Sequence, residues 1–171
     1  MDEILFENRY MIDEAMNRDY LSWMFFRRPA QIVFHILFLL YFLFAVIAVC
    51  AGFGGVYSWL LLLLVAAVFA LQIVRYRRAV KNVRKNIDEL YGGTPPEGIV
   101  TVTDRLFKST LSNGAVSQIE LRHLTSARRA GNLILLRSDG GLLFVFPADT
   151  FTTGSPDAFL AFLRGKGVKI R

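Results

Sequence analysis

A long charge-free stretch constrains this chain more than any other feature. Residues 30–74 contain no Asp, Glu, Lys or Arg and are interrupted once, by Gly52-Phe53-Gly54-Gly55. Each half is about 20 residues long, and an α-helix of that length spans about 30 Å, the thickness of the hydrocarbon core of a bilayer. The pattern predicts a transmembrane hairpin with a first span over residues 30–51, a turn over 52–55 and a second span over 56–74.

The charges on either side of the spans predict how the hairpin is oriented. Residues 75–91 carry six basic and two acidic residues, whereas the turn between the spans carries no charge. Lys and Arg residues next to a span stay on the cytoplasmic side of the membrane. We therefore expect a multi-pass membrane protein with both termini in the cytoplasm. A buried pair of core helices is the alternative, but a soluble core of this size rarely holds such long charge-free runs.

The segments that flank the spans carry apolar stripes. The N-terminal cytoplasmic segment, residues 1–29, combines a candidate strand over 4–10 with an amphipathic helix over 11–26, whose stripe is Ile12, Met16, Tyr20 and Trp23. A basic juxtamembrane helix over residues 75–91 has a second stripe, formed by Val80, Val83, Ile87 and Leu90. We expect the two stripes to pack on each other; the alternative is that each lies on the membrane surface.

Residues 97–171 predict a small antiparallel β domain that ends in a helix. Six runs typical of strands cover residues 98–103, 105–111, 115–121, 124–129, 133–137 and 142–146. Asn113-Gly114 predicts a type I′ hairpin turn, and Pro147 ends the last strand because it lacks an N–H. Ser155 and Pro156 predict the start of the C-terminal helix.

This order of elements defines the expected fold class. A series of antiparallel strands closed by one C-terminal helix is the order found in pleckstrin-homology-like (PH-like) domains. The sequence thus predicts a membrane α+β protein: a two-helix hairpin with helical extensions, plus a cytoplasmic PH-like domain over residues 97–171. It leaves open whether residues 4–10 join the sheet of that domain.

Three segments of the β domain carry a family resemblance. They are residues 117–124 (Ser-Gln-Ile-Glu-Leu-Arg-His-Leu), 142–146 (Leu-Leu-Phe-Val-Phe) and 147–151 (Pro-Ala-Asp-Thr-Phe). With the two preceding spans, they resemble the YcxB-like family of bacterial membrane proteins. The resemblance implies a bacterial inner (plasma) membrane protein with a cytoplasmic domain similar to PH folds. It implies no known reaction and carries over no catalytic residue.

The polar residues within the spans have simple interpretations. His35 can mark a proton or ion path at that depth, but it also lies near enough to the cytoplasmic end of the first span to meet interfacial water, with Gln31 one turn away. Tyr41 and Gln72 have the same simple interpretation. Cys50, the only cysteine, lies inside the first span and forms no intramolecular disulfide.

No catalytic constellation is predicted. His123 lies near Glu120 and Arg122, and the residue types of a triad are available in Ser117, Ser126 and Asp149, but no nucleophile motif surrounds them. Two histidines and one membrane-buried cysteine do not supply a usual zinc site. We predict no enzyme activity, metal or cofactor. Phosphate-binding loops and nucleic-acid motifs are absent from the sequence, and no small-molecule substrate is evident.

The basic residues are the remaining candidate site. Anionic headgroups attract cations close to the membrane surface, although topology and solubility alone also explain such a cluster. The candidate headgroup contacts are Arg75, Arg77, Arg78, Lys81, Arg84, Lys85, Arg128 and Arg129.

Three functions are compatible with the sequence. The leading hypothesis is a membrane-tethered module that binds a protein partner or forms a homo-oligomer. Recognition of anionic lipid at the cytoplasmic leaflet is the alternative. An oligomeric channel or transport subunit, with His35 facing a polar lumen, is the third.

Overall fold

The computed structural model describes residues 3–53 and 55–171, without the side chains of Phe53 and Ser58. The chain forms two compact units. The first, here called the β domain, combines the residues up to Tyr20 with Lys85–Arg171. The second, here called the helical hairpin, comprises Leu21–Arg84. Gly54, in the predicted turn 52–55, lies outside the described residues.

Four α-helices and nine strands make up the described chain. The helices are α1 (Glu14–Ser22), α2 (Pro29–Ala48), α3 (Val56–Tyr91) and α4 (Pro156–Gly165). The strands are β1 (Phe6–Met11), β2 (Glu97–Val102), β3 (Leu106–Leu111), β4 (Val116–Glu120), β5 (Leu124–Ala130), β6 (Leu133–Ser138), β7 (Leu143–Pro147), β8 (Phe151–Thr153) and β9 (Lys169–Ile170).

The β domain consists of two sheets. The five-stranded sheet has the order β4-β3-β2-β1-β8, and the four-stranded sheet has the order β7-β6-β5-β9. The pairings are antiparallel except for that of β5 with β9. Phe107, Phe146 and Phe159 are fully buried in the core. Strands β8 and β9 were not predicted, because they are three and two residues long and too short to show a period.

Strand β1 answers the question that the sequence left open. It pairs with β2 from Phe6 opposite Val102 to Met11 opposite Glu97, and with β8 on its other side. Gly98 makes room for this pairing, because a Cβ at that position would lie 2.6 Å from the Tyr10 ring. The β domain is therefore assembled from both ends of the chain, not from residues 97–171 alone.

The N-terminal helix is shorter than predicted. Since Met11 belongs to β1, the helix expected over residues 11–26 begins only at Glu14. The Asp13 carboxylate caps it by accepting a hydrogen bond from the Met16 N–H at 2.8 Å. Ile12 and Met16 pack against the core of the β domain. The expected packing of their stripe on the second juxtamembrane helix stays a prediction.

The Asn113-Gly114 hairpin forms, but its turn is not type I′. That turn needs positive φ at both central residues, and among the described residues only glycines have positive φ. The Gly114 N–H donates to the Leu111 carbonyl at 2.9 Å, and Gly114 has φ +85°. This is a type I turn followed by a left-handed glycine, because pairing of Leu111 with Ala115 leaves a three-residue loop.

Helix α4 and the end of β7 confirm their predicted signals. The Ser155 hydroxyl accepts a hydrogen bond from the Ala158 N–H at 3.2 Å, and Pro156 is the first helical residue. Phe159 and Leu163 are fully buried, and Leu160 and Phe162 pack beside the core. Strand β7 ends at Pro147.

The helical hairpin contains two helices that are long and apolar enough to cross a membrane. The candidate spans cover Pro29–Gly52, which joins α2 to the π-helical turn after it, and Trp59–Tyr91 of α3, whose residues from Lys85 onward belong to the β domain. Only 6% of the most apolar window of each is buried. Ala45 and Val65 are buried within the hairpin. Helix α3 continues without interruption to Tyr91, as predicted. The other apolar side chains of these helices face largely outward.

Candidate functional site

A groove of about 520 Å³ opens in the β domain beside β7 and is here called the β7 groove. Residues 142–145 form one wall, and Ile12, Met16 and Tyr20 form another. Ser109, Leu111 and Ser117 line the side given by β3 and β4, and Tyr10 contributes from β1. The groove is therefore built on strands from both ends of the chain, which explains why no local pattern in the sequence reveals it.

The wall of the groove formed by β7 is a free sheet edge. Among the described residues, only β6 pairs with β7 in this sheet, and at the far end of the edge the Pro147 carbonyl accepts a hydrogen bond from the Asn8 amide. The Ser138 N–H donates to the Leu142 carbonyl, and the Ala148 N–H donates to the Asn132 carbonyl. In an antiparallel ladder, backbone groups alternate between facing the partner strand and facing away. The N–H and C=O groups of Leu143 and Val145 therefore point away from β6.

Apolar side chains lie exposed at this edge. Leu142 is 57% exposed and Leu143 is 45% exposed, although both lie beside a well-packed core. Tyr10 is buried at the groove, and its burial raises the pKa of its phenol, a shift opposed by a hydrogen bond with Ser109. The combination of unpaired backbone groups and apolar walls is the chemistry that receives an added strand.

The structure places most of the predicted headgroup residues on one face of α3. At about 100° per residue, they occupy an arc of about 120°, and we call this group the basic stripe: Arg77, Arg78, Lys81, Arg84 and Lys85. All are exposed. Val80, Val83 and Ile87, on the other side of the helix, are half-buried, whereas Leu90 of the same predicted stripe is 72% exposed.

The basic stripe lacks nearby acids along the chain. The sequence contains no Asp or Glu between Asp19 and Asp88. Within the described residues, Lys85 pairs with Glu89 at 3.4 Å, and Arg77, Arg78, Lys81 and Arg84 have no ion-pair partner. Neutralisation of those four charges must come from outside the hairpin.

The other predicted headgroup residues differ from the stripe. Arg75 also lies on α3 and is exposed, about 60° beyond the arc of the stripe. Arg128 and Arg129 belong to β5 in the β domain. The Arg129 guanidinium contacts the Asp157 carboxylate at 3.1 Å, at the first turn of α4. The structure does not show the eight residues as one cluster.

Inside the hairpin, Gln72 joins three elements. Its amide Nε2 donates to the Phe25 carbonyl at 3.0 Å, and its Oε1 lies 3.1 Å from His35 Nε2. Because a carbonyl only accepts, the NH₂ of Gln72 must face Phe25, and His35 must donate through Nε2. His35 thus meets a protein partner, where the sequence analysis expected interfacial water.

Pro29 explains why the Phe25 carbonyl needs this partner. In a regular helix that carbonyl accepts from the N–H four residues later, but residue 29 is Pro and has none. The turn Trp23–Arg27 is π-helical and the chain is extended at Arg28. The spacing of four residues between Phe25 and Pro29 indicates, from sequence alone, that the Phe25 carbonyl lacks its usual helical partner. That Gln72 supplies the hydrogen bond instead is known only from the fold.

His123 lies at an exposed turn of the β domain. Its Nδ1 donates to the Asp139 carboxylate at 2.7 Å, and this hydrogen bond lowers the pKa of Asp139. Asp139 was not among the candidate acids. Ser117 lines the β7 groove, Ser126 lies in β5 and Asp149 is exposed. Among the residues that the structure describes, no group of three His, Cys, Asp or Glu side chains is arranged to hold a metal.

The comparisons with known proteins add no relative. No family model, curated protein or solved structure matches this chain.

Proposed function

We propose that this chain is a non-enzymatic protein of the bacterial inner membrane, of the YcxB-like kind, that anchors a PH-like binding module. In this proposal the helical hairpin crosses the membrane with both termini in the cytoplasm. The β domain binds an extended, apolar segment of a partner protein in the β7 groove. The free edge of β7 beside that groove is the observation that carries the proposal.

The architecture supports the PH-like assignment. Strands β1–β4 follow one another in the first sheet and β5–β7 in the second, and α4 then contributes Phe159 and Leu163 to the core. This is the element order of PH-like domains, with the hairpin inserted between β1 and β2. The charge-free spans and the basic residues that flank them support membrane insertion and a cytoplasmic β domain.

Strand addition fits the groove better than binding of a small polar ligand. The outward N–H and C=O groups of Leu143 and Val145 offer backbone hydrogen bonds at a spacing of two residues, which an extended peptide matches. Pro147 lacks an N–H, so the ladder with an added strand ends there. Alternate side chains of the added segment then face the apolar walls of the groove.

The test is a comparison of partners retained by full-length variants purified from native membranes. Leu143→Lys places a charge at the β7 edge, and Val116→Lys is its matched control, since Val116 is 55% exposed and does not line the groove. We expect Leu143→Lys to lose a partner that the original chain and Val116→Lys both retain. Identical partner sets in all three samples contradict the proposal. It is also contradicted if the only protein that Leu143→Lys fails to retain is a second copy of this chain.

Full-length protein is required for this experiment. A fragment that begins after the hairpin lacks β1, which lies between β2 and β8. Removal of β1 exposes two strand edges that then bind other chains non-specifically.

The basic stripe favours a second function, attraction of anionic lipid to the cytoplasmic leaflet around the protein. Each exposed cation near such a surface contributes about 1 kcal/mol. In a variant whose only tryptophan is Trp23, phosphatidylglycerol brominated on its acyl chains should quench fluorescence more than brominated phosphatidylcholine. We expect that difference to become smaller when Arg77, Arg78, Lys81 and Arg84 are replaced by Gln; an unchanged difference contradicts this second function.

A further inference from the structure

A second groove, of about 380 Å³, lies wholly within the helical hairpin and is here called the hairpin groove. Phe34 of α2 and Val68 and Leu71 of α3 line its apolar part. Gln31 and Arg75 line its polar part. The groove is thus amphipathic, with a single fixed cation.

Polarity changes along the groove in the direction of the helix axes. Arg75 is seven residues beyond Val68, a rise of about 10 Å along α3. Gln31 precedes Phe34 by about one turn of α2, which runs antiparallel to α3 in the hairpin. Both polar side chains therefore lie at the end of the spans that the proposed topology assigns to the cytoplasmic surface, and the apolar side chains lie deeper.

The polar end has charge to neutralise. Within the described residues, neither the Gln31 amide nor the Arg75 guanidinium has a side-chain partner. Gln72, which also borders the groove, is already engaged with Phe25 and His35. The absence of Asp and Glu between Asp19 and Asp88 leaves no acid within the hairpin for Arg75.

We propose that the hairpin groove binds one anionic phospholipid from the cytoplasmic leaflet. Its phosphate contacts the Arg75 guanidinium and the Gln31 amide, and one acyl chain lies along Phe34, Val68 and Leu71. The inference rests on the proposed membrane insertion. It differs from attraction by the basic stripe, because it specifies one molecule held by both charge and shape.

The experiment uses the full-length protein in nanodiscs of phosphatidylcholine with increasing amounts of phosphatidylglycerol. Native mass spectrometry counts the phosphatidylglycerol molecules that stay bound. We expect one retained molecule per chain. Arg75→Gln should raise the amount of phosphatidylglycerol needed for half occupancy about fivefold, because the loss of one charge contact with a headgroup weakens binding by about that factor. The control is Arg27→Gln, which removes an exposed cation at the same end of the spans but outside the groove. It should change the amount of phosphatidylglycerol needed for half occupancy by less than about twofold.

A second pair of variants tests shape without a change in charge. Val68→Trp fills the groove and should abolish the retained molecule. Leu63→Trp, about 140° around α3 from Val68 at a side chain that is 66% exposed, should leave it bound. Retention of the lipid by Val68→Trp, or equal shifts for Arg75→Gln and Arg27→Gln, overturns the inference.

Failure of the proposed membrane anchoring gives a different result. A chain that does not enter nanodiscs at all, measured by size-exclusion chromatography, overturns both the anchoring and the lipid site. A chain that enters nanodiscs and shows no preference for phosphatidylglycerol overturns the lipid site alone.

Discussion

The β domain and the helical hairpin use the same kinds of apolar side chain in opposite ways. In the β domain, Phe107, Phe146 and Phe159 are fully buried. In the hairpin, Phe44 is 70% exposed and Leu63 is 66% exposed. Apolar surface is removed from water in one region by a protein core and, in the proposed membrane setting, by lipid in the other. Under the proposed function, an exposed leucine on a span faces lipid, whereas an exposed leucine at the β7 edge faces the bound partner.

Truncation of a large side chain should separate the two regions most clearly. Phe146→Ala leaves a cavity in the β domain and should reduce its free energy of unfolding by about 3–5 kcal/mol. Leu64→Ala, at a side chain of α3 that is 59% exposed, should change the stability of the hairpin by less than about 0.5 kcal/mol. Hydrogen exchange of backbone amides in nanodiscs measures both. Similar losses for the two variants would show that the hairpin also depends on a tightly packed core.

The contact of β1 with β2 gives the next largest effect. Gly98→Ala forces a Cβ against the Tyr10 ring and should destabilise the β domain by about 1–3 kcal/mol, with faster exchange of the β1 amides. Gly140→Ala is the control, since the nearest atom to its new Cβ would be 3.8 Å away. Equal stability of the two variants would mean that β1 does not pack as described.

The polar contact within the hairpin should have a smaller effect. Gln72→Leu keeps the size of the side chain but leaves the Phe25 carbonyl without its donor. Interhelical hydrogen bonds in membranes contribute about 0.6 kcal/mol on average, so we expect a loss of that order. An infrared band of an isotope-labelled Phe25 carbonyl should shift to higher frequency. Tyr41→Phe, which removes an exposed hydroxyl from α2, should leave the band in place.

The smallest effect concerns pH at the exposed turn of the β domain. The His123 hydrogen bond lowers the pKa of Asp139 below its ordinary value of 3.8. The folded state therefore favours the carboxylate, and the resulting stabilisation is present above pH 3.8 and is lost as the pH falls through the lowered pKa. Urea unfolding of the original chain and Asp139→Asn should differ at neutral pH and converge in acid. A difference that persists in acid contradicts this assignment.

The structural features predicted correctly from the sequence were those that depend on residues close together along the chain. The charge-free runs marked two long helices, and Ser155 with Pro156 marked the start of α4. Both depend on side chains within a few residues of each other along the chain. The Asn113-Gly114 signal was correct as a hairpin and wrong as a turn type, because the register between β3 and β4 sets the length of the loop.

The candidate sites were the least predictable part of the molecule. The basic residues of α3 were identified from composition, but their arrangement as a stripe follows from an unbroken helix. The β7 groove and the Gln72 contact were missed, since each joins residues far apart in the chain. Gln72 and Phe25 are separated by 47 positions.

By itself, the sequence determined the two long apolar helices, the charge asymmetry around them and the antiparallel character of the region after them. The tertiary structure decided that β1 completes the β domain across the inserted hairpin. The buried Asn8 side chain illustrates the reason, since its amide donates to the Pro147 carbonyl at 2.8 Å across 139 positions of sequence. Local periodicity carries no information about such a partner, because strand pairing and burial are selected by the whole fold.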